Sequence, residues 1–462
     1  MEAKTKTQKA HVLILPYPSQ GHINPLLQFA KRLASKGGGI KATIATTHYT
    51  VASITAAVAV EPISDGFDGG GFAQAGNEQA FLQSFRSNGS RTLSKLVEKY
   101  ESSEFPVTCI VYDSFLPWAL DVAKQYGVYG AAFFTNSAAV CGIFCRVSRG
   151  EVALEMAAKE GGLDFPGLPS LGLSDLPSFL RFPESYPTYL GMKLCQYSNL
   201  EEVDWIFCNS FQELESKEAG SVKEHWPAKL IGPMVPSSYL DSRIEGDNGY
   251  GASLWKPLND ECTKWLEAKP AESVAFISFG SMVSLTEEQT AEITAGLEES
   301  GVEFLWVVRD SELSKIPKRF RESLTSSTKG LIVSWCNQLE MLAHRATGCF
   351  VTHCGWNSTL EGLSLGVPMV AMPQWTDQVT NAKYIEDVWR VGVRAKEDRN
   401  GIAGREEIAK CLKEVMLEGD RSKEIKEAAR KWRRMAVEAV SEGGDSDKEI
   451  DRFVKHLMKG RS

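Results

Sequence analysis

Two residues that follow apolar segments have the side chains of a general base and its partner. His22 lies in PYPSQGHINP (16–25), after the run VLIL, and Asp113 directly follows VTCIVY (107–112). A carboxylate beside an imidazole fixes its tautomer and stabilises the imidazolium that forms when the ring takes a proton. The same residues could equally serve structure, with His22 satisfying backbone groups in its turn and Asp113 capping the next helix. These residues alone leave both interpretations open.

The segment around His22 does not match two common phosphate-binding loops. It has one glycine, Gly21, and fits neither G-x-x-x-x-G-K-[ST] nor G-x-G-x-x-G. A nicotinamide-dependent oxidoreductase would need the second pattern after its first strand, so this segment argues against that class. We expect Asn24 to cap the following helix and Pro25 to take its first position.

In the second half, polar and aromatic residues follow four apolar runs. They are Gly280 and Ser281 after VAFISF, Trp335 and Gln338 after LIVS, the stretch HCGWNSTLEG (353–362) after CFVT, and Asp377 and Gln378 after PMVAM. In an open parallel sheet, ligands bind beyond the carboxyl ends of the strands. We therefore expect these side chains to share one site.

These residue types match the parts of a sugar nucleotide. A helix beginning near Asn357 would bind a diphosphate through its N–H groups and dipole, with His353 as a further donor. Glu361 could accept from a ribose diol, Trp335 could stack on a base, and residues 377–378 could bind several hydroxyls. Each of them alone also has a structural explanation, as a core aromatic, a helix cap or the first residue of a helix.

Composition and charge exclude several classes of partner. The 462 residues carry a net charge of −8, which argues against nucleic acid and anionic membranes as partners. No apolar run reaches the roughly 18 residues of a membrane span, and the N-terminal run ends at Pro16, so we expect a cytoplasmic protein. The ten cysteines form no C-x-x-C pair and the seven histidines no zinc pattern. We expect free thiols and no metal site.

Short apolar runs alternate with helix-like segments in both halves of the chain. The candidate strands are 12–15, 42–45, 107–112, 131–134 and 205–208, then 274–279, 304–308, 331–334, 349–352 and 368–372. Continuous runs of this kind are typical of strands buried on both faces, and their repetition indicates two parallel α/β domains. The Gly-, Pro- and Ser-rich stretch 231–257 indicates the boundary. We expect an N-terminal domain over 1–238, a linker over 239–256, a C-terminal domain over 257–445 and a final helical segment over 446–462.

Residues 335–378 resemble the signature box of the plant family-1 UDP-glycosyltransferases. The segment begins with W-x-x-Q, has H-C-G-W-N-S at its centre and ends with W-x-D-Q. The resemblance also covers PYPSQGHINP, VYDSFLPW, FFTNS, NSFQELE and FGS, and so extends over nearly the whole chain. The chain most resembles the branch acting on thiohydroximates, salicylate, auxin-like acids, flavonoids, triterpenoids and steroids.

The resemblance implies a GT-B fold, with two Rossmann-like parallel-sheet domains facing each other across a cleft. The N-terminal domain would bind the acceptor and the C-terminal domain the UDP-sugar. The final helix would cross back onto the N-terminal domain.

The resemblance also assigns roles by position. His22 resembles the catalytic base and Asp113 its partner. The donor-binding positions are Trp335 on uracil; Gln338 and Glu361 on ribose; Ser281, His353, Asn357 and Ser358 on the diphosphate; and Trp356, Asp377, Gln378 and Thr135 on the sugar. Gln378 at the end of the box favours glucose.

The implied reaction is an inverting transfer of glucose from UDP-glucose. His22 would take the proton of an acceptor hydroxyl, whose oxygen attacks the anomeric carbon to give a β-glucoside. The family needs no divalent metal and no cofactor beyond the UDP-glucose co-substrate. The sequence Asp-Ser-Asp at 445–447 has the D-x-D pattern of metal-using glycosyltransferases, but we expect it to cap the last helix.

The acceptor is less well defined by the sequence. Phe81, Phe179, Phe182 and Met282 lie in aromatic or apolar segments that could line a pocket for a flat hydrophobic aglycone, or could simply pack loops onto the domain. We expect a steroid, triterpenoid or flavonoid hydroxyl as acceptor, and a monomeric enzyme. A glucose-ester-forming enzyme acting on aromatic acids, or a catalytically silent sugar-nucleotide-binding protein, are the alternatives.

Overall fold

The computed structural model describes residues 9–55, 57–152, 163–253, 255, 257–324 and 328–459. They form two compact units. Unit 1 comprises the described residues of 1–173, 179–254 and 438–462, and unit 2 those of 174–178 and 255–437. Of the segments expected as linker and final helix, residues 254, 256 and 460–462 lie outside the described residues. The rest of 239–254 groups with unit 1, where Asp247 accepts from Gln28 and Lys31.

Unit 1 is built on a parallel sheet of seven strands. They are β1 (Ala10–Leu15), β2 (Ile40–Thr47), β3 (Ala59–Ile63), β4 (Val107–Asp113), β5 (Tyr129–Phe134), β6 (Trp205–Cys208) and β7 (Lys229–Leu230). Their order is β3-β2-β1-β4-β5-β6-β7, so the direction of winding reverses between β1 and β4. In such sheets a crevice opens at the reversal, beyond the carboxyl ends of the strands.

In the described part of unit 1, ten α-helices connect these strands or flank them. They are α1 (Gln20–Ala34), α2 (His48–Val51), α3 (Phe72–Ala75), α4 (Glu78–Tyr100), α5 (Trp118–Gln125), α6 (Ala138–Ser148), α7 (Ser178–Arg181), α8 (Pro187–Cys195), α9 (Gln212–Gly220) and, from the end of the chain, α18 (Asp445–Leu457). Helix α7 spans the boundary between the units.

Unit 2 repeats the arrangement with six parallel strands. They are β8 (Val274–Ser278), β9 (Glu303–Val307), β10 (Gly330–Val333), β11 (Thr347–Thr352), β12 (Met369–Ala371) and β13 (Gly392–Arg394), in the order β10-β9-β8-β11-β12-β13. The winding therefore reverses between β8 and β11. The helices are α10 (Asn259–Glu267), α11 (Glu287–Ser300), α12 (Lys318–Leu324), α13 (Gln338–Ala343), α14 (Trp356–Leu365), α15 (Gln378–Lys383), α16 (Arg405–Met416) and α17 (Asp420–Val440).

The ten predicted strands are present, and the structure adds three that were missed. Each of the three lies at or near a sheet edge and gives a weak hydrophobic signal. Strand β3, AVEPI, is mostly exposed or half-buried and contains a proline, which is tolerated at an edge. Strands β7 and β13 have two and three residues.

The last helix, α18, packs on the sheet of unit 1. Its buried residues Ile450, Phe453, Val454 and Leu457 recur with the spacing of one helix face. The Phe453 ring lies 5.0 Å from Phe207 of β6 and 6.3 Å from Phe29 of α1, measured between ring centres. Each such side chain contributes about 1.5–3 kcal/mol on burial, which fixes the chain end to this unit.

The described chain has neither the helices of a membrane protein nor a cluster of metal-ligating side chains. Within the described ranges, no helix is long and apolar enough to cross a membrane. The ten cysteines are free thiols, nine of them buried. Among the described residues there is no group of three or more His, Cys, Asp or Glu side chains placed to hold a metal ion.

Candidate active site

His22 lies on the first turn of α1, at the sheet reversal of unit 1. The helix begins at Gln20, with Ser19 as its N-cap, and the His22 N–H donates to the Ser19 carbonyl over 3.0 Å. The expectation that Asn24 caps this helix and Pro25 begins it is therefore wrong. Asn24 instead accepts from Gln20 within the helix, and Pro25 lies inside it.

Asp113, the last residue of β4, holds the His22 ring. Its Oδ2 lies 2.6 Å from His22 Nδ1, and its Oδ1 accepts from the Phe115 backbone N–H over 3.0 Å. The Asp113 side chain is fully buried, whereas 16% of the His22 side chain is exposed. Because a carboxylate accepts only, the contact assigns the ring proton to Nδ1 and leaves Nε2 with a lone pair.

Thr135, which follows β5, contacts the same ring nitrogen. Its hydroxyl oxygen lies 3.1 Å from His22 Nδ1. Strands β1, β4 and β5 are adjacent in the sheet, so the residues after them meet at one edge. His22, Asp113 and Thr135 thus form a single cluster, which we call the base cluster.

Aromatic rings surround the base cluster. The Phe115 and Tyr17 ring centres lie 4.7 and 5.5 Å from that of His22, and Tyr17 in turn contacts Phe81 at 6.1 Å. Burial raises the pKa of Tyr17 well above its usual range, so its hydroxyl stays protonated. Phe115 and Tyr17 were not predicted as site residues, although both lie in segments that carry the family resemblance, VYDSFLPW and PYPSQGHINP.

A buried carboxylate anchors the turn that carries Thr135. Glu215 accepts from the backbone N–H groups of Ala138 and Ala139 over 2.9 and 3.0 Å, at the N-terminus of α6. It also accepts from the Ser210 hydroxyl over 2.6 Å. Burial raises the pKa of Glu215 to about 7, although these hydrogen bonds favour the ionised form. Glu215 belongs to NSFQELE, a motif to which the sequence analysis gave no role.

In unit 2, three of the predicted donor-binding residues are joined by hydrogen bonds. The Gln338 amide group donates to Glu361 Oε2 over 2.6 Å and to the Ser358 hydroxyl over 2.9 Å. Ser358 and Glu361 have the spacing of a capping box, but α14 has Gly355 as its N-cap. Their side chains are therefore available to this network, at the N-terminal half of α14.

His353 packs between the turn after β8 and the start of α14. A Cβ atom built on Gly280 or Gly355 would lie 2.7 or 2.6 Å from His353 Nε2, so a side chain at either position would force His353 to move. Gly280 also has a left-handed backbone, with φ +72°. Burial lowers the pKa of His353 to about 4, so its ring is neutral at neutral pH. Within the described chain, no hydrogen-bond partner reaches its Nδ1.

The two tryptophans predicted to contact the donor differ in how deeply they are buried and in which ring they pack against. Trp335 is half-buried, and its ring centre lies 4.5 Å from that of Trp255. Trp356 is 3% exposed and packs against Trp389, with the ring centres 6.0 Å apart. Trp356 is the first residue of α14, so its backbone N–H lies at the N-terminus of that helix.

Asp377 and Gln378 are both buried and organise the turn after β12. Asp377 Oδ2 accepts from Asn381, which also donates to the Cys354 carbonyl. Gln378 Oε1 accepts from two backbone N–H groups of its own turn, those of residues 374 and 375. Cys354 and Thr376 adopt left-handed backbones, with φ of 64° and 54°. Such conformations cost roughly 1–3 kcal/mol each and concentrate at ligand sites.

The four residues predicted to line the acceptor pocket fall into two groups. Phe81 and Phe179 are 1% and 2% exposed, and Phe179 stacks on Tyr189. Phe182 in unit 1 and Met282 in unit 2 are 49% and 59% exposed. Ser281, also predicted to bind the diphosphate, lies next to Met282 in the loop after β8. The backbone carbonyl oxygens of residues 281 and 283 in this loop accept hydrogen bonds from the Arg309 guanidinium.

One further sequence pattern, that of an esterase nucleophile, does not lie where a catalytic serine would. The residues GLSLG, 362–366, have the G-x-S-x-G spacing of an esterase elbow. An esterase serine lies on a sharp strand-to-helix turn, whereas Ser364 is fully buried inside α14. The structure therefore gives no support to a serine esterase.

Comparisons with known proteins identify the family. The profile of a family described as UDP-glucoronosyl and UDP-glucosyl transferase matches residues 222–430. UDP-glycosyltransferase 74B1 of Arabidopsis thaliana is 49% identical over 468 aligned residues, which cover 99% of this chain and 100% of that protein. The chain belongs to the plant family-1 UDP-glycosyltransferases.

Two other UDP-glycosyltransferases extend the comparison. Flavonol 7-O-beta-glucosyltransferase UGT74F1 of Arabidopsis thaliana is 46% identical over 97% of this chain and 98% of its own. The crystal structure of Os79 from O. sativa in complex with UDP matches with a TM-score of 0.90 at 40% identity, covering 96% of this chain and 100% of that chain. The predicted GT-B fold and family are confirmed, and the chain is a UDP-glucose-dependent glycosyltransferase of small molecules.

Proposed function

We propose that this glycosyltransferase moves glucose from UDP-glucose to a hydroxyl of a hydrophobic small molecule, with inversion, to give a β-glucoside. The observation that carries the proposal is the base cluster, in which Asp113 lies 2.6 Å from His22 Nδ1. The assigned tautomer leaves His22 Nε2 as the proton acceptor, on a side chain that is partly exposed. A general base typically accelerates such a step by about 10²–10⁴-fold.

The proposed reaction is a single displacement. His22 Nε2 takes the proton of the acceptor hydroxyl as its oxygen bonds to the anomeric carbon. The bond between that carbon and the UDP oxygen breaks, and UDP leaves with the electron pair. Asp113 stabilises the imidazolium that results, and the Thr135 hydroxyl on Nδ1 restrains the ring. UDP leaves as an anion with the electron pair of the broken bond, and His22 then releases the acceptor's proton to water.

The donor would be held by the residues after β8, β10, β11 and β12. We assign the base to Trp335, and the ribose to Glu361, which Gln338 orients. The diphosphate is assigned to the N-terminus of α14, where N–H groups and the helix dipole favour an anion. Ser281, His353, Asn357 and Ser358 are the side chains proposed for that group, without a divalent metal.

The glucose would be bound by the turn after β12. Asp377 Oδ2 accepts a hydrogen bond from Asn381, and the side-chain carbonyl oxygen of Gln378 accepts from a backbone N–H group. Both side chains are thus pre-oriented, which lowers the entropic cost of binding several hydroxyls. Trp356 would contribute through its backbone N–H. The structure places the Thr135 side chain on His22, so its proposed contact with the sugar would be made from that position.

The aromatic surroundings of His22 favour a flat, hydrophobic acceptor. Phe115 and Tyr17 lie beside the ring, and Phe81 beyond Tyr17. Pockets of this kind bind ligands by apolar contact, with a few polar groups fixing orientation. A flavonoid, steroid or triterpenoid hydroxyl is the proposed acceptor. UGT74F1, by its name, glucosylates a flavonol, and Os79 has been crystallised with a trichothecene.

An acceptor screen tests this proposal. UDP-glucose and EDTA are held constant against steroids, triterpenoids, flavonoids and aromatic acids, and products are read by mass spectrometry for the gain of one hexose. We expect a hexose gain on at least one hydroxyl acceptor, a β-configured anomeric proton by NMR, and loss of product in His22→Ala. An α-linked product would contradict the inverting mechanism.

Two alternatives have distinct outcomes in the same screen. Binding of UDP-glucose, measured by calorimetry, without transfer of hexose to any acceptor would contradict the proposed function. An ester-forming enzyme would transfer hexose to aromatic acids and not to hydroxyls.

A further inference from the structure

Two buried thiols meet beside the loop that carries Trp335. Cys262 lies on α10 and is fully buried, and Cys336 follows Trp335 in the loop after β10 and is 5% exposed. Both are free thiols, and a hydrogen bond joins their side chains. These two residues, which we call the thiol pair, connect α10 to the loop that carries the residue proposed to stack on uracil.

Two hydrogen bonds of the backbone fix the position of Cys336 against α10. The Leu258 N–H donates to the Trp335 carbonyl over 2.9 Å, and the Asn337 N–H donates to Asn259 Oδ1 over 2.7 Å. The two contacts lie on either side of Cys336 in the chain, and both reach the segment that begins α10. The fold therefore keeps the two sulfur atoms next to each other.

The contact between the two thiols gives them different reactivity. The hydrogen bond from Cys336 lowers the pKa of Cys262, although burial acts in the opposite direction. The thiolate is the form of cysteine that attacks an oxidant, so Cys262 is the more nucleophilic member of the thiol pair. Cys336 is placed to attack the sulfur of Cys262 once that sulfur has been oxidised.

We propose that Cys262 and Cys336 form a redox modification site, at which a peroxide converts the thiol pair into an intramolecular disulfide that weakens UDP binding. The inference rests on the proposed function in one respect, because that function places uracil on Trp335. Both thiols are buried, so the oxidant must be small enough to reach them during brief local opening of the loop. Hydrogen peroxide meets that requirement.

The chemistry has two steps. The Cys262 thiolate attacks one oxygen of hydrogen peroxide, the O–O bond breaks, and hydroxide leaves with the thiol proton as water, so that Cys262 becomes a sulfenic acid. The Cys336 sulfur then attacks the Cys262 sulfur, the S–O bond breaks, and a second hydroxide leaves with the Cys336 proton as water. The thiol pair loses two electrons, and one peroxide is reduced to two molecules of water.

The disulfide would change the geometry of the donor loop. Its sulfur atoms lie about 2.0 Å apart and its Cβ atoms about 3.8 Å apart, closer than in two thiols that only touch. Cys336 is adjacent to Trp335, and Gln338 begins α13 two residues later. Formation of the bond would draw this loop towards α10 and displace both side chains. By linkage, bound UDP should in turn oppose the oxidation.

Peroxide treatment of the full-length enzyme tests the inference. Wild type, Cys262→Ala and Cys336→Ala are treated with hydrogen peroxide, with and without saturating UDP, and crosslinked peptides are identified by mass spectrometry. Cys195→Ala, which removes an exposed thiol of α8, is the matched control. UDP affinity is measured by calorimetry before treatment, after it, and again after reduction with dithiothreitol.

We expect a crosslink between residues 262 and 336, less of it when UDP is bound, and UDP binding about 5–100-fold weaker, the range for losing base stacking on an aromatic ring. Dithiothreitol should restore the affinity. Cys262→Ala and Cys336→Ala should each keep their UDP affinity through the treatment, whereas Cys195→Ala should respond as the wild type does. No crosslink under conditions that oxidise Cys195, or a crosslink that leaves UDP affinity unchanged, would overturn the inference.

A separate variant distinguishes this inference from the placement of uracil. Trp335→Ala should bind UDP about 5–100-fold more weakly without any peroxide. Wild-type affinity in Trp335→Ala would overturn the uracil assignment of the proposed function, whereas a crosslink that still weakened UDP binding would support the redox site. Weak binding by Trp335→Ala together with an ineffective crosslink would overturn the redox site alone.

Discussion

His22 Nδ1 and Asp113 Oδ2 lie 2.6 Å apart although 91 positions separate the two residues in the chain. The sheet produces this contact, since β1 and β4 are neighbours at the point where the winding reverses. A helix N-terminus then carries His22, and the end of a buried strand carries Asp113. The pair therefore depends on the topology of unit 1 rather than on any local motif.

The two partners of His22 Nδ1 should contribute unequally. Thr135→Val removes the hydroxyl at 3.1 Å, and a single neutral hydrogen bond is worth about 1 kcal/mol, so kcat should fall about fivefold. Asp113→Asn removes the charge that stabilises the imidazolium, and we expect a loss of at least about 100-fold. Steady-state kinetics with the best hydroxyl acceptor measures both losses. UDP affinity should be unchanged in either variant, and a larger loss in Thr135→Val than in Asp113→Asn would refute the assignment.

The buried Glu215 should make stability depend on pH. Its pKa rises from 4.5 to about 7 on folding, so between these values the folded protein binds more protons than the unfolded chain. Its contribution is therefore fully present below pH 4.5 and is lost as the pH rises through 7, with a total change of order 3 kcal/mol.

The comparison with Glu215→Gln isolates that effect, because other titrating groups are common to both proteins. Urea unfolding at pH 5 and pH 8 should show the wild type gaining stability relative to the variant at the lower pH. A difference between the two proteins that does not change with pH would show that Glu215 does not titrate in this range. The same variant should loosen the turn at residues 135–139 and lower kcat.

Removal of the proposed ribose ligand should weaken donor binding. Glu361→Gln replaces the acceptor of the Gln338 amide and of the proposed ribose hydroxyls, and a hydrogen bond to a charged group is worth about 1.5–3 kcal/mol. We expect UDP to bind about 10–100-fold more weakly, measured by calorimetry. Glu340→Gln, on the neighbouring helix α13, serves as the control, and equal weakening in both variants would argue against a specific role.

Gly280 packs closely against His353, so its substitution should affect UDP binding, and Gly301 offers a matched control. Gly280→Ala would place a Cβ 2.7 Å from His353 Nε2 at a φ of +72°, whereas Gly301→Ala meets open space at a φ of +69°. Both changes should cost about 1 kcal/mol of stability because both backbones are left-handed. Only Gly280→Ala should also weaken UDP binding, since His353 must move. Unimpaired UDP binding in Gly280→Ala would remove His353 from the diphosphate site.

Much of the fold could be predicted from sequence because buried parallel strands are nearly continuous apolar runs. VLIL and VTCIVY are recognisable for this reason, and the polar residues after them mark the ligand-binding edge. Strand β3 was missed since its half-buried glutamate and its exposed proline interrupt the pattern. The start of α1 was misplaced because local rules favour Pro25 at a first helical position, while the actual N-cap, Ser19, makes no side-chain cap bond.

The site was predicted only where a motif carries it. His22, Asp113 and the residues of the signature box were proposed as site residues from their positions after strands and from the family resemblance. Phe115 and Glu215 were not, because their relation to the site arises from long-range packing that no local pattern records. A motif can also mislead about a side chain. Trp356 lies within the signature box, but the motif does not indicate that its ring is buried.

The most direct test of the account is the single-turnover rate of glucose transfer from UDP-glucose to a hydroxyl acceptor, in EDTA, for wild type and His22→Ala. Donor binding is measured alongside by calorimetry. We predict that His22→Ala binds UDP-glucose as tightly as the wild type but transfers glucose about 10²–10⁴-fold more slowly. Transfer by His22→Ala at the wild-type rate would contradict the assignment of His22 as the base.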